Sequence, residues 1–315
     1  MKISDLQTWF LNKQKQFWKF LSGKYILGRK VPLSLFVKIL FEKVSAPNLH
    51  QQASSIAFAF SLSLFPTLLF LFSLIPFIAH WVGIPKLSEL VLELLKEGVP
   101  EGIFKFIAPT LVDVFDNRRT DMLSLSFFFA IYAASSGVME LINTFNDNYA
   151  YSAKKSWIYR RMVAIGLAFL LAFLMILGVL VIMGGELALH ILVSNYLLTD
   201  KWTYFWLVIL RYTAGFLVFY VGISLIYYIA PAVRNRWNFF SFGSTLSTFL
   251  ALTSTYSFSY YLSNFATYNR LYGSIGTIIA MLVWLYILAW VLLLGFALNA
   301  GVSEAKIEYA NDKKE

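Results

Sequence analysis

Arg211 is the residue whose type and position point most directly to chemistry. It lies well inside a long apolar stretch, where an ionisable group is costly unless it faces a partner, a cavity or water. Glu140 and Glu186 lie near the ends of two other apolar stretches and are candidate counter-ions. The pattern predicts either a buried Arg–Glu pair that fixes the helix register or a cationic site for an anionic headgroup.

The remaining polar residues do not indicate catalysis. His50, His80 and His190 are scattered over different segments, and the chain contains no cysteine, so no metal-ligand cluster is predicted. The sequence contains neither a phosphate-binding glycine loop nor a nucleophile elbow. We therefore predict a protein that is not an enzyme and that binds no metal and no cofactor.

The composition predicts the elements that position these residues. Of the 315 residues, 59% are hydrophobic and 14% are charged, against roughly 45–50% and about 25% in soluble proteins. Six stretches are long and apolar enough to cross a membrane as tilted helices. They cover residues 53–79, 122–142, 162–185 or beyond, 203–230, 239–262 and 275–300. The sequence thus predicts an all-α, polytopic membrane domain over residues 53–300.

Two amphipathic helices are predicted outside these spans. One lies in residues 1–52, where the apolar stripe consists of Leu33, Phe36, Val37, Leu40 and Val44. The other lies in an insertion at residues 81–121, where Glu89, Glu93 and Glu97 form an acidic face. The first is predicted to lie along the inner membrane surface; the alternative for both is a collar that packs against the bundle. Residues 301–315 form the predicted carboxyl-terminal tail.

The positions of Lys and Arg predict the orientation of the chain. Outside the spans they are concentrated in residues 1–52, in the second and fourth connections and in the tail. The positive-inside rule then places both termini in the cytoplasm, although Arg118 and Arg119 argue the other way. The formal net charge of +9 is explained by orientation in a bilayer. The basic amino-terminal segment is explained by anionic lipid, and nucleic-acid binding is not predicted.

Small residues and helix breakers mark candidate packing and hinge positions. Gly243, Ser247, Ala251, Thr255 and Ser259 recur every fourth residue, which predicts close helix contact. The alternative is that the other hydroxyl groups of this span line a polar groove.

Two prolines and two further glycines are hinge candidates. Pro66 and Pro76 each remove a backbone hydrogen bond and are predicted to kink the first span. Gly273 and Gly276 are predicted to loosen the start of the sixth.

Several short motifs occur in order along residues 53–300, and the most specific lies at residues 268–276. They cover residues 61–66, 146–149, 160–161, 228–231, 268–269, 271–276, 284–286, 293–295 and 298–300. Together these motifs resemble those of the YihY/virulence factor BrkB family of bacterial inner-membrane proteins. The chain departs from the family pattern at Ala297, where an acidic residue is usual, and at Glu140, where an uncharged one is usual. One hypothesis is that Glu140 substitutes spatially for the missing acid.

The resemblance implies a six-helix protein of the bacterial inner membrane, without catalytic residues, that is linked to envelope integrity. The ribonuclease label carried by some members is generally regarded as mistaken. The leading hypothesis is a non-enzymatic transporter or flippase for phospholipids or lipopolysaccharide precursors in envelope biogenesis. Its partners would be membrane lipids with anionic headgroups, with an envelope protein or a second copy of the chain as further partners. The alternatives are a scaffold for envelope assembly and an ion or small-solute transporter.

Overall fold

Long helices carry every apolar stretch predicted above. In the computed structural model, the described residues are 25–26, 31–82, 123–194, 201–233, 237–264 and 266–312, with positions 92–93, 96, 104, 108–109 and 112. Most of the predicted insertion at 81–121 and most of the amino-terminal segment lie outside these residues. The predicted acidic face of the insertion is therefore outside the described part, apart from Glu93, which is exposed.

The regular structure of the described residues is almost entirely helical. The helices are α1 (Leu33–Val44), α2 (Leu49–Val82), α3 (Leu123–Asp147), α4 (Trp157–Ser194), α5 (Lys201–Ile229), α6 (Phe242–Asn264) and α7 (Ala266–Asp312). A short antiparallel pair joins β1 (Tyr25–Ile26) to β2 (Val31–Pro32). The predicted all-α class is thus confirmed for the described residues. The physical reason is that long apolar segments satisfy their own backbone hydrogen bonds best as helices.

Three helices contain a segment that is long and apolar enough to cross a membrane. Among the described residues these segments are Trp157–Gly178, Trp202–Ile229 and Ile279–Asp312. Helices long and apolar enough to cross a membrane are therefore present, whereas the number six stays a prediction. The hydroxyl-rich composition of α6 lowers its apolar character, although it is long enough to span.

The six long helices form a closed bundle in chain order. Each packs against the next, and α7 returns to α2. Neighbouring helices are antiparallel: along α4 and α5, Gly178 lies against Val218, while Gly185 lies against Arg211. The α3–α4 and α5–α6 connections meet at one end, where Ala153 N donates to Ala232 O at 2.7 Å. We call this the basic end, because Lys43, Lys154, Lys155 and Arg160 lie there.

The best-packed part of the core also lies at the basic end. Phe145 of α3 and Phe296 of α7 are buried and stacked, with ring centres 4.2 Å apart. Tyr227 of α5 and Trp237 complete this aromatic cluster, with ring centres 5.9 and 5.6 Å from Phe145 and Phe296 respectively. These aromatic contacts cross the interior of the helical bundle and join α3, α5 and α7 at the basic end.

Helix α1 packs against α7 as a collar. Its buried centre is Ile39, which packs with Leu35 and Phe36 around Ala305. Of the predicted apolar stripe, Phe36 takes part in this contact, but the buried face is rotated toward Ile39. The reason is that α7 continues as a helix to Asp312, so the predicted tail provides a surface on which α1 can pack. Phe41 remains 70% exposed on the other side of α1.

Candidate functional site

A polar junction at the basic end ties α1 to α7. Lys43 Nζ lies 2.9 Å from Glu304 Oε1 and donates a hydrogen bond of 2.7 Å to Asn148 O. Glu304 Oε1 also accepts a bond of 3.0 Å from Ala150 N. Because both charges have hydrogen-bond partners, the pair can remain ionised although it is largely buried. The junction joins the collar, the α3–α4 connection and α7.

Tyr149 extends this junction. Its hydroxyl group lies 2.8 Å from Ser303 Oγ, and its ring meets Trp237 edge-on. Burial raises the pKa of Tyr149, and the negative charge of Glu304 raises it further. The group is therefore held neutral, which suits a structural hydrogen bond and not proton transfer.

Helices α6 and α7 touch at backbone distance. A Cβ atom added to Gly243 would meet Gly295 O and would lie 2.6 Å from Asn299 Oδ1. Gly243 N donates to Asn299 Oδ1 at 3.0 Å. Ser247 is buried at the same contact, within hydrogen-bond distance of Tyr227 OH. Gly295, which the sequence did not single out, is as crowded as Gly243.

The predicted small-residue stripe faces α7 over only part of its length. Gly243, Ser247 and Ala251 are buried, Thr255 is half-buried and Ser259 is exposed. The contact is therefore tight at the basic end and opens along α6. The side chains of Thr253 and Ser257 are exposed on this part of the helix.

Arg161 is buried one turn into α4. Its guanidinium group lies 3.6 Å from the centre of the Tyr132 ring and donates to Tyr132 O, and both Nη atoms lie 3.4 Å from Ser136 Oγ. Arg160, one residue earlier, bonds to Asn143 near the end of α3. Because α3 and α4 are antiparallel, bonding to Tyr132 and Ser136 takes the Arg161 side chain away from the nearer helix end. A snorkelling arginine would instead extend toward the nearer helix end, where its charged group reaches water.

A mainly apolar cavity of about 190 Å³ lies between α2, α3 and α4, and Arg161 is not one of the residues that line it. On α3 it is lined by Ile131, Ala134 and Val138, in the same two turns that bind Arg161. Phe169 and Met175 of α4 line it and are also exposed, so the cavity opens to the outside of the bundle.

Ser63 and Thr67 bring two hydroxyl groups to the α2 wall of the cavity. Pro66 lies between them and is half-buried. Helix α2 continues through both Pro66 and Pro76, and the side chain of Pro76 is outside the described part. Gly137 allows α2 to approach, since a Cβ atom there would lie 2.6 Å from Phe60 Cδ1 and from Ser63 Oγ.

The structure separates Arg211 from Glu140. Glu140 Oε1 accepts a bond of 2.5 Å from Ser55 Oγ of α2, near the basic end. Arg211 packs its aliphatic stem on Gly185, with Cγ 3.1 Å from an added Cβ there. Gly185 is about 36 Å along α4 from Arg161 at 1.5 Å per residue. Glu186 follows Gly185 in the same helix, and its side chain is outside the described part.

This register changes the expected depth of Arg211. Arg211 lies well inside its own predicted span, but its neighbour on α4 is Gly185, at the far end of the predicted third span, and α4 continues from there to Ser194. Exposed aromatic residues precede it in α5, namely Trp202, Tyr204, Phe205 and Trp206. Aromatic residues are enriched at membrane boundaries. The depth of a residue therefore depends on the offset between neighbouring helices, which the sequence of one helix does not contain.

The remaining candidate residues lie in α7 or near it. Gly273 and Gly276 fall within the continuous helix Ala266–Asp312, and Gly276 is buried. Ala297 lines a cavity of about 360 Å³ whose described carboxylates are Glu42, Asp147 and Glu304, whereas Glu140 is not among its lining residues. The geometry gives no support to the hypothesis that Glu140 replaces an acid at position 297.

Sequence reasoning missed Arg161 because the third span was taken to begin at Met162. The adjacent Arg160 and Arg161 were interpreted as part of a basic connection, but α4 begins at Trp157 and includes both. The available signal was the apolar, aromatic run 157–159 before them, which allows an earlier helix start. Within the described residues, no group of three or more His, Asp or Glu side chains could hold a metal ion.

Comparison with known proteins gives matches over most of the chain. A family model described as virulence factor BrkB matches residues 40–315. The chain is 27% identical over 275 residues to the ribonuclease-like protein YfkH of Bacillus subtilis (strain 168), covering 86% of this chain and 96% of that protein. It is 26% identical over 248 residues to a UPF0761 membrane protein of Coxiella burnetii (strain Dugway 5J108-111), covering 78% and 84%. No solved structure matches the chain.

Proposed function

The chain belongs to the virulence factor BrkB family of membrane proteins, and we propose that it is a non-enzymatic transporter or flippase. Its proposed cargo is a phospholipid or a lipopolysaccharide precursor with an anionic headgroup, and its proposed place is the bacterial inner membrane with both termini in the cytoplasm. The observation that carries this proposal is the buried Arg161, which bonds to the same two turns of α3 that line the apolar cavity between α2, α3 and α4.

The two features suit the two parts of a lipid. A guanidinium group binds phosphate with charge-assisted hydrogen bonds, and the apolar walls of the cavity can take part of an acyl chain out of the surrounding lipid. The exposed Phe169 and Met175 provide a side entrance at the outer surface of α4. A headgroup bound to Arg161 would leave its chains in contact with hydrocarbon.

A purely structural role for Arg161 would be to lock α3 to α4. Buried arginines in such roles normally have their donors satisfied. The Nε atom of Arg161 is buried and has no hydrogen-bond partner among the described residues. The spare donor, together with two long contacts of 3.4 Å to Ser136 Oγ, favours a ligand-binding role.

Arg211 is the proposed second headgroup site. Its distance of about 36 Å along α4 from Arg161 is close to the thickness of a bilayer core, about 30 Å. Two cations near opposite boundaries would lower the cost of moving an anionic group at the two steps where it leaves or enters water. Glu186 is proposed as the counter-ion of Arg211 when no lipid is bound.

The test is a lipid-translocation assay with the full-length protein in liposomes that contain a fluorescent anionic phospholipid. We expect wild type to move this lipid between leaflets, and Arg161→Gln and Arg211→Met to slow the movement at least tenfold. Met retains the apolar stem that packs on Gly185, so Arg211→Met tests the charge and not the packing. Lys306→Gln removes an exposed positive charge elsewhere and should have no effect.

A second pair of variants keeps the test independent of charge. Ala172→Phe fills the cavity, whereas Gly166→Phe adds the same side chain to α4 where no atom lies within 4 Å of an added Cβ. We expect the first to slow translocation and the second to leave it unchanged. If folded wild type moves no lipid under any imposed gradient, or if Ala172→Phe is as active as Gly166→Phe, the proposal is wrong.

A further inference from the structure

A third cavity, of about 160 Å³, lies at the basic end between the end of α3, the start of α4 and the end of α5 with the residues that follow it. Lys155, just before α4, and Tyr159 and Arg160 of α4 form one wall, and Asn146 and Pro231 belong to the other walls. This cavity is separate from the apolar cavity between α2, α3 and α4, with which it shares no lining residue. Its chemistry is also different, because basic and polar groups line it.

The charge of this third cavity is positive. Lys155 and Arg160 are the charged residues that line it, and the described lining contains no carboxylate. Lys155 Nζ lies 5.1 Å from the centre of the Tyr159 ring, which holds the ammonium group at the α4 wall. Two cations without a facing carboxylate repel each other, and a bound anion would relieve this repulsion.

Arg160 has a donor available for such an anion. One Nη atom donates to Asn143 Oδ1 at 2.8 Å, which fixes the plane of the guanidinium group. The Nε atom is buried and has no hydrogen-bond partner within the described residues. A buried donor without a partner is costly, so a site that completes its bonding is expected nearby. The cavity lined by this same side chain provides one.

The start of α4 adds to the positive potential. Helix N-termini carry unpaired N–H groups and a partial positive charge. Ser156 Oγ accepts one of these bonds, from Tyr159 N at 3.3 Å. Lys155, Tyr159 and Arg160 all lie within this first turn or next to it, so the dipole and both side-chain charges act on the same space.

We propose that this cavity binds the phosphate group of an anionic lipid headgroup, and we call it the headgroup pocket. Exposed aromatic residues at the basic end, including Trp157, Tyr159, Phe240 and Phe242, are typical of the membrane boundary. At that level the phosphate of a lipid is available to the pocket without leaving its own leaflet. The pocket goes beyond the transport proposal, because it concerns equilibrium binding in one leaflet and requires no translocation.

The test is lipid binding to the purified full-length protein, measured by native mass spectrometry. Phosphatidylglycerol and phosphatidylcholine are titrated separately, and inorganic phosphate is added as a competitor. We expect one tightly bound phosphatidylglycerol in this pocket in addition to lipid at Arg161 and Arg211, weaker binding of phosphatidylcholine, and no displacement from the pocket by inorganic phosphate at the concentration of the lipid. Binding of inorganic phosphate as tight as that of the lipid would overturn the lipid assignment.

Adjacent lysines supply the matched control. Lys155→Gln should weaken phosphatidylglycerol binding about tenfold, the effect of one charge-assisted hydrogen bond, and Lys154→Gln should not, because Lys154 is exposed outside the pocket. Arg160→Gln should weaken binding further, and Arg160→Lys should restore only part of it. Equal binding by the Lys154 and Lys155 variants, with Arg160→Gln folded and unaffected, would refute the headgroup pocket. This result would leave the transport proposal standing, since that depends on Arg161 and the apolar cavity.

Discussion

Replacing Gly295 by alanine tests whether α6 and α7 touch at backbone distance. The new Cβ atom would overlap Ser247 Oγ and Tyr227 OH and would lie 2.8 Å from Gly243 O. Backbone cannot rotate away as a flexible side chain can, so one helix must move. Overpacking of this kind costs about 1–3 kcal/mol.

The displacement would also stretch two hydrogen bonds that cross the contact. The Tyr227 hydroxyl group donates to Leu292 O at 2.8 Å, and the Ser247 hydroxyl group donates to Val291 O at 3.1 Å. Each bond contributes a net of about 1 kcal/mol. Alanine gains about 1 kcal/mol over glycine from helix propensity. The expected loss in the free energy of unfolding is therefore about 2–4 kcal/mol, by the sum of these terms.

Gly166→Ala is the matched control, because nothing lies within 4 Å of an added Cβ at that position. Thermal unfolding of both variants in the same detergent, followed by tryptophan fluorescence, gives the comparison. We expect Gly295→Ala to unfold at a clearly lower temperature than wild type and Gly166→Ala at an equal or slightly higher one. If Gly295→Ala is as stable as Gly166→Ala, the close contact between α6 and α7 is refuted.

Two further predictions concern the polar junction at the basic end. Lys43→Met should lower the free energy of unfolding by about 1–3 kcal/mol, because it leaves the largely buried Glu304 carboxylate without its cation. The loss is kept to this range because the small exposed fraction of both side chains lets solvent screen the charge. The double variant with Glu304→Met should lose less than the two single variants added together, and additive losses in denaturant unfolding would contradict the pairing. Because the pKa of Tyr149 is raised above its ordinary value of 10.0, its contribution to stability should be complete below that pH and should decline as the pH rises through the folded pKa. The unfolding midpoint of Tyr149→Phe should lack this decline at alkaline pH. Parallel pH profiles of the unfolding midpoint for the variant and the wild type would contradict this contribution of Tyr149 to stability.

Helix positions and a family resemblance could be read from the residues. Each predicted apolar stretch corresponds to a long helix, and the stretch extends beyond its helix by three residues at the start of α6 and by one at the end of α5. A segment of about 20 apolar residues has few other ways to satisfy its backbone. Helix ends were less accurate, and at α4 the error mattered. Because α4 begins at Trp157, Arg161 is a buried residue of this helix and not part of the basic connection that the sequence predicted.

The partners of the charged residues were not available from the sequence. Glu140 was a candidate counter-ion of Arg211, yet it bonds to Ser55, while Arg211 packs on Gly185. Both outcomes depend on which helices are neighbours and on their vertical offset. Packing between helices sets that offset, and the hydrophobicity of one helix contains no record of it.

The sequence by itself determined that this chain enters a membrane as helices, because composition and apolar length act within each segment. The tertiary structure alone decided which polar groups meet there. It brought Lys43 to Glu304 across most of the chain length, set Gly243 against Gly295, and opened one cavity between α2, α3 and α4 and another at Arg160. Such contacts form between segments far apart in the chain, and their energies depend on the register and approach of whole helices.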